Sequence, residues 1–375
     1  GQVRSIDDDT GDQRWSFQTA GPVKYPPTIS SDRAYFGSAD GYAYCVEAAT
    51  GRLLWRFRAA PIKRHIMIYG SLSSTWPVNT GVLVNDGVAY FGAGIVDHDG
   101  TYLYAVDATT GRMIWQNNAS GHLNPELRKG VSVQGNLTIL DNTLVLAGGN
   151  VVSPARFELN SGQCLESPRE QGQPQANGGR FVGVLDEETI IAGGRILYSS
   201  PQNVSTKGSF SVWSADRQSM PLNFGGIPPA WNDTTLAVAN FKYGRITTLD
   251  VPTLAAKIQE GFDAAENKRK RLTRTLVSVL STRANVRWQS HLDHSAEFEP
   301  LSVALAPNAV VVVARHQDQR RAVPQFILTA LKSEDGEQIF QIDLPAEPLP
   351  GGLIVDRNGH VVVAMLNGGV ACFGP

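Results

Sequence analysis

Hydrophobic and polar residues alternate along this chain in short runs separated by turns that contain glycine, aspartate or asparagine. Such runs, rich in β-branched and aromatic residues, are typical of β-strands. One pattern recurs: a threonine–glycine turn with a tryptophan at the fourth position after the glycine. Its clear copies are 10–15, 50–55 and 110–115, and its weaker copies are 161–166 and 335–340. A period of about forty residues, with one insertion of roughly twenty, indicates a repeat fold.

Four strand patterns in each repeat predict one propeller blade of four antiparallel strands. Whole blades are expected at about 23–58, 78–117, 135–166, 179–224, 229–290 and 301–343, and their first strands include Val23–Ile29 and Val78–Val84. Residues 1–17 add two strands, and 353–373 add three. The ring has seven blades if these two partial blades merge and eight if they stay separate.

The turn-and-tryptophan pattern resembles the repeat of pyrroloquinoline-quinone (PQQ)-type β-propellers, which include quinoprotein alcohol dehydrogenases and non-enzymatic relatives such as the bacterial outer-membrane assembly lipoprotein. Residues 56–61 and 76–78 also resemble large propeller proteins of planctomycete-type bacteria. The resemblance implies an all-β fold in which residues 1–375 form a single β-propeller domain, with eight blades favoured over seven. It also implies a periplasmic or extracellular location.

Tryptophans occupy equivalent positions in the outer strands of the repeats, and a repeating aromatic residue indicates a core between blades. They are Trp15, Trp55, Trp115 and Trp288. One segment departs from the strand pattern: apolar residues recur at helical spacing in 253–282, which predicts a helical insertion before the strand at 286–289. This insertion either packs on a blade edge or docks a partner.

Composition narrows the function classes. The net charge of −2 gives no support for nucleic-acid binding. No apolar run reaches the ~18 residues that a membrane span needs. The three cysteines, Cys45, Cys164 and Cys372, form no metal-binding or haem motif and no adjacent pair. Since the quinoprotein enzymes carry an adjacent cysteine pair and a calcium site, a PQQ-dependent dehydrogenase is the weakest alternative, and no cofactor is expected.

Long loops are predicted on one face of the propeller, where binding sites usually lie. Residues that precede the inner strands, or lie in nearby loops, would form a cationic and aromatic rim around the central channel. They are Lys24, Arg64, Trp76, Arg128, Lys129, Asn177, Arg180 and Trp231. Arginine and lysine attract carboxylate, sulfate or phosphate groups. The alternative is that these charges are solvated and the tryptophans belong to the core.

Candidates for chemistry are few. His291, Asp293 and His294 form a weak metal-like cluster on a loop. Tyr25, His65 or His294 could act as a base. The leading hypothesis is a non-catalytic scaffold that binds a protein or an anionic polysaccharide through the long-loop face. The alternative is a lyase or hydrolase that acts on an acidic polysaccharide.

Overall fold

The computed structural model of the 375-residue chain describes residues 1–68, 70–124, 126, 129–149, 152–167, 179–194, 209–214, 219–225, 227–240, 244–268, 285–292, 297–317 and 323–374. These residues form antiparallel strands, turns, one α-helix and two short 3-10 helices. The chain divides into two compact units, Gly1–Val204 and Ser205–Pro375. That residues 1–375 form a single domain stays a prediction.

The first unit contains seventeen strands among its described residues. They are β1 (Gln2–Ile6), β2 (Gln13–Gln18), β3 (Thr28–Ser30), β4 (Arg33–Gly37), β5 (Tyr42–Glu47), β6 (Leu53–Arg58), β7 (His65–Ile68), β8 (Ser71–Ser74), β9 (Leu83–Asn85), β10 (Val88–Ala93), β11 (Tyr102–Asp107), β12 (Met113–Asn117), β13 (Leu137–Leu140), β14 (Thr143–Leu146), β15 (Ala155–Glu158), β16 (Phe181–Val184) and β17 (Thr189–Gly193). The 3-10 helices are Asp97–Asp99 and Ser120–His122.

Strands that follow one another in sequence pair in order. Strands β3 to β6 form one four-stranded antiparallel sheet and β9 to β12 another, while β13 to β15 form a three-stranded sheet. Strands β1 and β2, β7 and β8, and β16 and β17 pair as hairpins. The prediction of four-stranded antiparallel blades is therefore confirmed at 23–58 and 78–117.

Successive sheets of this unit stack on each other. Phe36 of β4 contacts the β1–β2 hairpin, and Tyr35, its neighbour in the same strand, contacts the β9–β12 sheet. Because neighbouring residues of a strand point to opposite faces, β4 and β5 are buried almost continuously. The outer strand β6 is half-exposed and buries mainly its tryptophan.

The second unit contains the remaining strands and the helix. They are β18 (Ser209–Ser214), β19 (Ser219–Gly225), β20 (Ala230–Trp231), β21 (Thr235–Asn240), β22 (Arg245–Asp250), α1 (Val251–Lys268), β23 (Val286–His291), β24 (Glu297–Leu305), β25 (Ala309–Gln317), β26 (Gln325–Lys332), β27 (Gln338–Asp343), β28 (Pro348–Val355), β29 (Val361–Met365) and β30 (Val370–Phe373). Strands β20 to β23 and β24 to β27 form four-stranded antiparallel sheets, β28 to β30 form a three-stranded sheet, and β18 pairs with β19.

The predicted helical insertion is present as α1, which lies between β22 and β23. The apolar residues that predicted it, Leu254, Ile258 and Phe262, are buried. The second half of the prediction, beyond residue 268, lies outside the described residues. Within the part of the chain that the structure describes, no helix is long and apolar enough to cross a membrane.

Each repeated tryptophan is anchored to the glycine-containing turn of the next repeat. The indole N–H of Trp55 donates to the carbonyl of Ala108 at 2.9 Å, and the ring lies against Gly111, three residues further on. The same relation holds for three more pairs: Trp15 with Ala48 and Gly51, Trp115 with Leu159 and Gly162, and Trp288 with Ser333 and Gly336.

This geometry explains the spacing of the repeat. The glycine at each turn has a positive φ, for example +71° at Gly111, which glycine adopts without steric cost. A Cβ at Gly111 would lie 2.8 Å from the Trp55 ring, so the indole also requires glycine there. Trp55, Trp115 and Trp288 are 7–8% exposed, as predicted. Trp15 is only half-buried.

Two expectations need correction. The first strands of the blades are shorter than predicted, because β3 begins at Thr28 and β9 at Leu83. In the first case Pro26 and Pro27 have no N–H to donate to a ladder. In the copy at 161–166 Glu166 stands at the tryptophan position. The blade predicted at 135–166 has three strands there, and its fourth is reduced to an isolated bridge between Phe157 and Cys164.

Candidate functional site

Lys24 and Tyr25 lie in the proline-rich segment that leads into β3. Tyr25 is half-buried and its Cβ packs against the backbone at Gly81, a residue with φ of +70°. Lys24 is exposed. The segment therefore carries one side chain that fixes its position and one cation that is available to a ligand.

The β7–β8 hairpin supplies the second part of the site. It lies in the insertion of roughly twenty residues that follows β6, and its strands pair from His65–Ser74 to Ile68–Ser71. At its base, the Arg64 guanidinium lies 4.7 Å from the ring centroid of Trp76, and its Nε donates to Thr75 Oγ1 at 3.0 Å. Stacking and this hydrogen bond hold the planar guanidinium in one orientation.

Trp76 is part of the core and is not an open stacking surface. It is 6% exposed, and its indole N–H donates to the carbonyl of Asp99 at 2.7 Å. Its ring meets Tyr102 edge-on. The Trp76 ring is therefore engaged by core neighbours and by the stacked Arg64 guanidinium.

A cleft of 160 Å³ opens where the Lys24 segment meets the hairpin. Its wall combines the Lys24 ammonium with two hydroxyl side chains and three apolar residues. The lining residues are Pro22, Lys24, Ala39, Ile68, Ser71 and Ser73. The serines were not among the sequence candidates. Their alternation in 71–74 places both on one face of β8, and that is the signal from which they could have been found.

Arg180, which precedes β16, influences Lys24 electrostatically. Burial of the ammonium group, and then the charge of Arg180, lower the pKa of Lys24 from its ordinary value. Because the Lys24 side chain as a whole remains exposed, this effect is worth little stability. The Nε atom of Arg180 is buried and has no hydrogen-bond partner among the described residues. The charge of Arg180 therefore reaches the Lys24 ammonium, although Arg180 is not among the residues that line the cleft.

No carboxylate neutralises this pair within the described part of the chain. Asp40 contacts Ala20, a few residues before Lys24, but its side chain binds protein groups. It accepts hydrogen bonds from the N–H groups of Ala20 and Tyr42 and from the Tyr44 hydroxyl. The cleft is therefore a region of uncompensated positive charge that favours an anion.

The other rim candidates lie in several places. Lys129 is half-buried and pairs through its backbone with Asn124, in the loop before β13. Trp231 lies in β20 of the second unit and is half-buried. Arg128 and Asn177 lie outside the described residues. The structure thus brings together Lys24 and the hairpin, which carries Arg64 at its base, and the charge of Arg180 reaches Lys24.

The candidates for catalysis and metal binding do not form a described cluster. His65 is exposed at the start of β7, and His291 ends β23 opposite Arg245. Asp293 and His294 lie outside the described residues. Among the residues that the structure describes, Asp7, Asp8 and Asp9 are the only three metal-capable side chains that approach one another. They lie at the turn between β1 and β2, and Asp7 is already paired with Arg14.

Comparison with known proteins supports the repeat and the fold. A segment of 103 residues, 28% of this chain, is 28% identical to polyvinylalcohol dehydrogenase from Sphingopyxis sp. (strain 113P3), of which it spans only 14%. Quinohaemoprotein alcohol dehydrogenase ADHIIG from Pseudomonas putida HK5 matches 96% of this chain over 65% of its own, with a TM-score of 0.56 and 12% identity. The corresponding enzyme from Comamonas testosteroni matches 97% over 67%, with a TM-score of 0.53 and 13% identity.

At these identities the solved structures show the fold alone, which is the β-propeller that the repeat predicted. The chain spans about two thirds of their length. The family of PQQ-type repeats described as outer membrane protein assembly factor BamB matches residues 1–253, which include five of the six predicted whole blades in full or in part. Since this match covers more than half of the sequence, the chain belongs to that family.

Proposed function

We propose that this chain is a non-catalytic binding propeller that holds an anionic group of a polysaccharide in the cleft beside Lys24. The observation that carries the proposal is the cleft lined by the Lys24 ammonium, with which no described carboxylate pairs and which the charge of Arg180 also reaches. Bringing two like charges together costs free energy in the empty protein. A carboxylate or sulfate that binds between them recovers this energy and forms charge-assisted hydrogen bonds.

The dimensions of the cleft support a small anionic group on a longer chain. A volume of 160 Å³ is below the ~300–1,000 Å³ of typical pockets for drug-sized ligands. Ser71 offers a hydroxyl group for a sugar oxygen, and Ile68 offers an apolar contact. The hydroxyl of Ser73 is already bound to the carbonyls of Ala39 and Ser74.

The described residues do not fit PQQ with its calcium ion. Calcium is bound by several carboxylate or carbonyl oxygens, and no group of acidic side chains adjoins Lys24 or Arg180 in the part of the chain that the structure describes. The adjacent cysteine pair of the quinoprotein enzymes is also missing from the sequence. We therefore derive no oxidation step, although the relatives named above are dehydrogenases.

A lyase or hydrolase acting on the same polymer is the second candidate, with Tyr25 as the base. The position of Tyr25 beside Lys24 in sequence supports it. The packing of Tyr25 against Gly81 speaks for a positioning role, because a base must reach the proton that it removes. We therefore favour the binding protein.

Blade number, family type and location are also part of the proposal. We infer eight blades, a non-enzymatic member of the repeat family and a periplasmic or extracellular location. The family description, which names an outer membrane assembly factor, supports the location. Partners are an anionic polysaccharide or a protein, and α1 is a further surface on which a partner could dock.

Retention of the protein on immobilised polygalacturonate tests this proposal. We expect retention that weakens with salt, because exposed charges are screened over ~10 Å at 0.1 M. Lys24→Met and Arg180→Gln should each abolish most of it. Arg112→Gln removes an exposed cation from the β11–β12 turn and should change nothing. Equal retention of all four proteins would refute the cleft, and an unsaturated or shortened product in the eluate would establish the enzyme instead.

A further inference from the structure

The β7–β8 hairpin has a second surface that faces away from the cleft and has an open edge. Thr75 N–H donates to the carbonyl of Arg64 at 2.9 Å, so this pair is of the hydrogen-bonded kind. In an antiparallel ladder hydrogen-bonded and non-bonded pairs alternate. His65–Ser74 is consequently a non-bonded pair, and so is the pair that contains Met67. The N–H and C=O groups of His65 and Met67 point away from β8.

The two edges of the hairpin differ. On the β8 side, the N–H of Ser74 donates to the carbonyl of Ala39 at 2.6 Å, which ties the hairpin to the β4–β5 turn. On the β7 side, the described residues offer no backbone partner to His65 or Met67. Unpaired groups along a strand edge are a template for another extended chain.

The side chains next to this open edge are apolar. Met67 is 68% exposed and Leu72, directly opposite it, is 53% exposed. Ile62, just before the hairpin, is exposed as well. A strand added to β7 would therefore find an apolar surface for every second side chain, which is how strand addition gains specificity.

The positive charge around the hairpin favours an acidic partner. Residues 48–85 contain five lysines and arginines and neither aspartate nor glutamate, on a chain whose net charge is −2. Lys63 and Arg64 directly precede β7, are exposed, and form no ion pair with any residue that the structure describes. A partner segment with acidic residues would be attracted to this position, and a basic one repelled.

We propose that an acidic, extended polypeptide segment, in which apolar and acidic side chains alternate, binds to the β7 edge as a third strand of the hairpin. Its backbone pairs with the outward groups of His65 and Met67. Its apolar side chains cover Met67 and Leu72, and its carboxylates approach Lys63 and Arg64. This surface is distinct from the cleft beside Lys24, so the two proposals can fail separately.

A fluorescein-labelled heptapeptide of alternating glutamate and valine is a direct probe, measured by fluorescence anisotropy. The sharpest variant is Met67→Pro, because it removes an outward N–H and leaves the bonds between β7 and β8 intact. Loss of one hydrogen bond and its apolar contact should weaken binding by about fivefold or more. Met113→Glu, at a 50% exposed methionine of β12, is the matched control and should bind as the parent does.

Four further measurements test whether the peptide binds by strand addition at this edge. The same peptide methylated on alternate backbone nitrogens keeps its charge but cannot pair, and should not bind. If Met67→Pro does not fold, Met67→Glu repels the probe while β7 keeps its N–H groups. Equal binding of the methylated peptide, unchanged binding to both Met67 variants, or binding to anionic phosphatidylglycerol vesicles in place of the peptide would overturn the proposal. Lys24→Met should leave peptide binding unchanged.

Discussion

The tryptophan–glycine junctions and the cleft beside Lys24 differ in whether their polar groups have partners within the protein. At each junction the indole N–H reaches a backbone carbonyl at 2.8–3.0 Å and the ring closes on a glycine. In the cleft, the Lys24 ammonium has no described carboxylate partner, and the like charge of Arg180 reaches it. The junctions are close-packed and their polar groups are hydrogen-bonded, whereas the cleft carries an excess of positive charge.

This difference separates stability from binding. A close-packed junction loses contacts and hydrogen bonds whenever its members change, so substitutions there should be costly. A cluster of like charges lowers stability in the free protein, so removing one charge should be harmless or favourable. Variants of the two regions should therefore change the free energy of unfolding in opposite directions.

The largest effect is expected from Gly111→Val at a junction. Valine must adopt a positive φ there, and its side chain meets the Trp55 ring, where even a Cβ lies only 2.8 Å away. Strain and overpacking together should lower the unfolding free energy by about 2–5 kcal/mol in urea denaturation. Gly87→Val is the matched control, because Gly87 has a φ of +74° and open space beside it. Equal losses for both variants would show that the indole contact is unimportant.

The next effect comes from the tryptophans. Trp115→Ala should cost ~3–5 kcal/mol, since its ring is 8% exposed. Trp15→Ala should cost less, because Trp15 is half-buried although it has the same hydrogen bond. Trp115→Phe keeps much of the apolar area but loses the hydrogen bond to the Leu159 carbonyl. Its loss of unfolding free energy therefore measures mainly that hydrogen bond, about 1 kcal/mol. A larger loss at Trp15 than at Trp115 would contradict the role of burial.

A smaller, pH-dependent effect belongs to the start of α1. Asp250 accepts hydrogen bonds from the Arg287 side chain at 2.7 Å and from the N–H and hydroxyl of Thr253 at 3.0 and 2.7 Å, and these hold its pKa at about 2. Because the folded pKa is below the unfolded value, this stabilisation is present above pH ~4 and is lost as the pH falls towards 2. Asp250→Ala should cost ~0.5–2 kcal/mol at pH 7.

The measurement for Asp250 is thermal unfolding of both proteins from pH 7 to 2.5. Their difference should shrink across the acid part of this range, because the parent then loses the ionised cap. Asp233→Ala, at an exposed acid in the β20–β21 turn, is the control. A constant difference at all pH values would mean that the carboxylate is not the stabilising form.

The junctions were predictable because they repeat. The distance from Gly51 to Trp55 and the period between turns define where an indole must pack, and the structure adds only that it packs on the glycine of the next repeat. The cleft was only partly predictable. Lys24, Arg64 and Arg180 were candidates from their places before inner strands or in a long loop. The hairpin that brings Ser71 and Ser73 beside Lys24 is an insertion, and no repeat constrains it.

The smallest effect, and the one with the opposite sign, is expected from Lys24→Met. Methionine keeps most of the apolar stem and removes the repulsion from Arg180, so the unfolding free energy should rise by under about 0.5 kcal/mol at low salt. At 1 M salt, where charges are screened over ~3 Å, the gain should vanish.

The stability difference between the parent and Lys24→Met should also depend on pH. The pKa of Lys24 is lowered in the folded protein, so the unfolded chain binds more protons between that pKa and 10.5. The parent should therefore gain stability relative to the variant as the pH rises through this interval.

Arg180→Gln should raise the unfolding free energy at low salt by the same amount as Lys24→Met. Combining the two substitutions should add little, because either one removes the shared repulsion. A loss of stability in Lys24→Met that is insensitive to salt would mean that the ammonium is part of a packed structure, and that the cleft is built like the junctions.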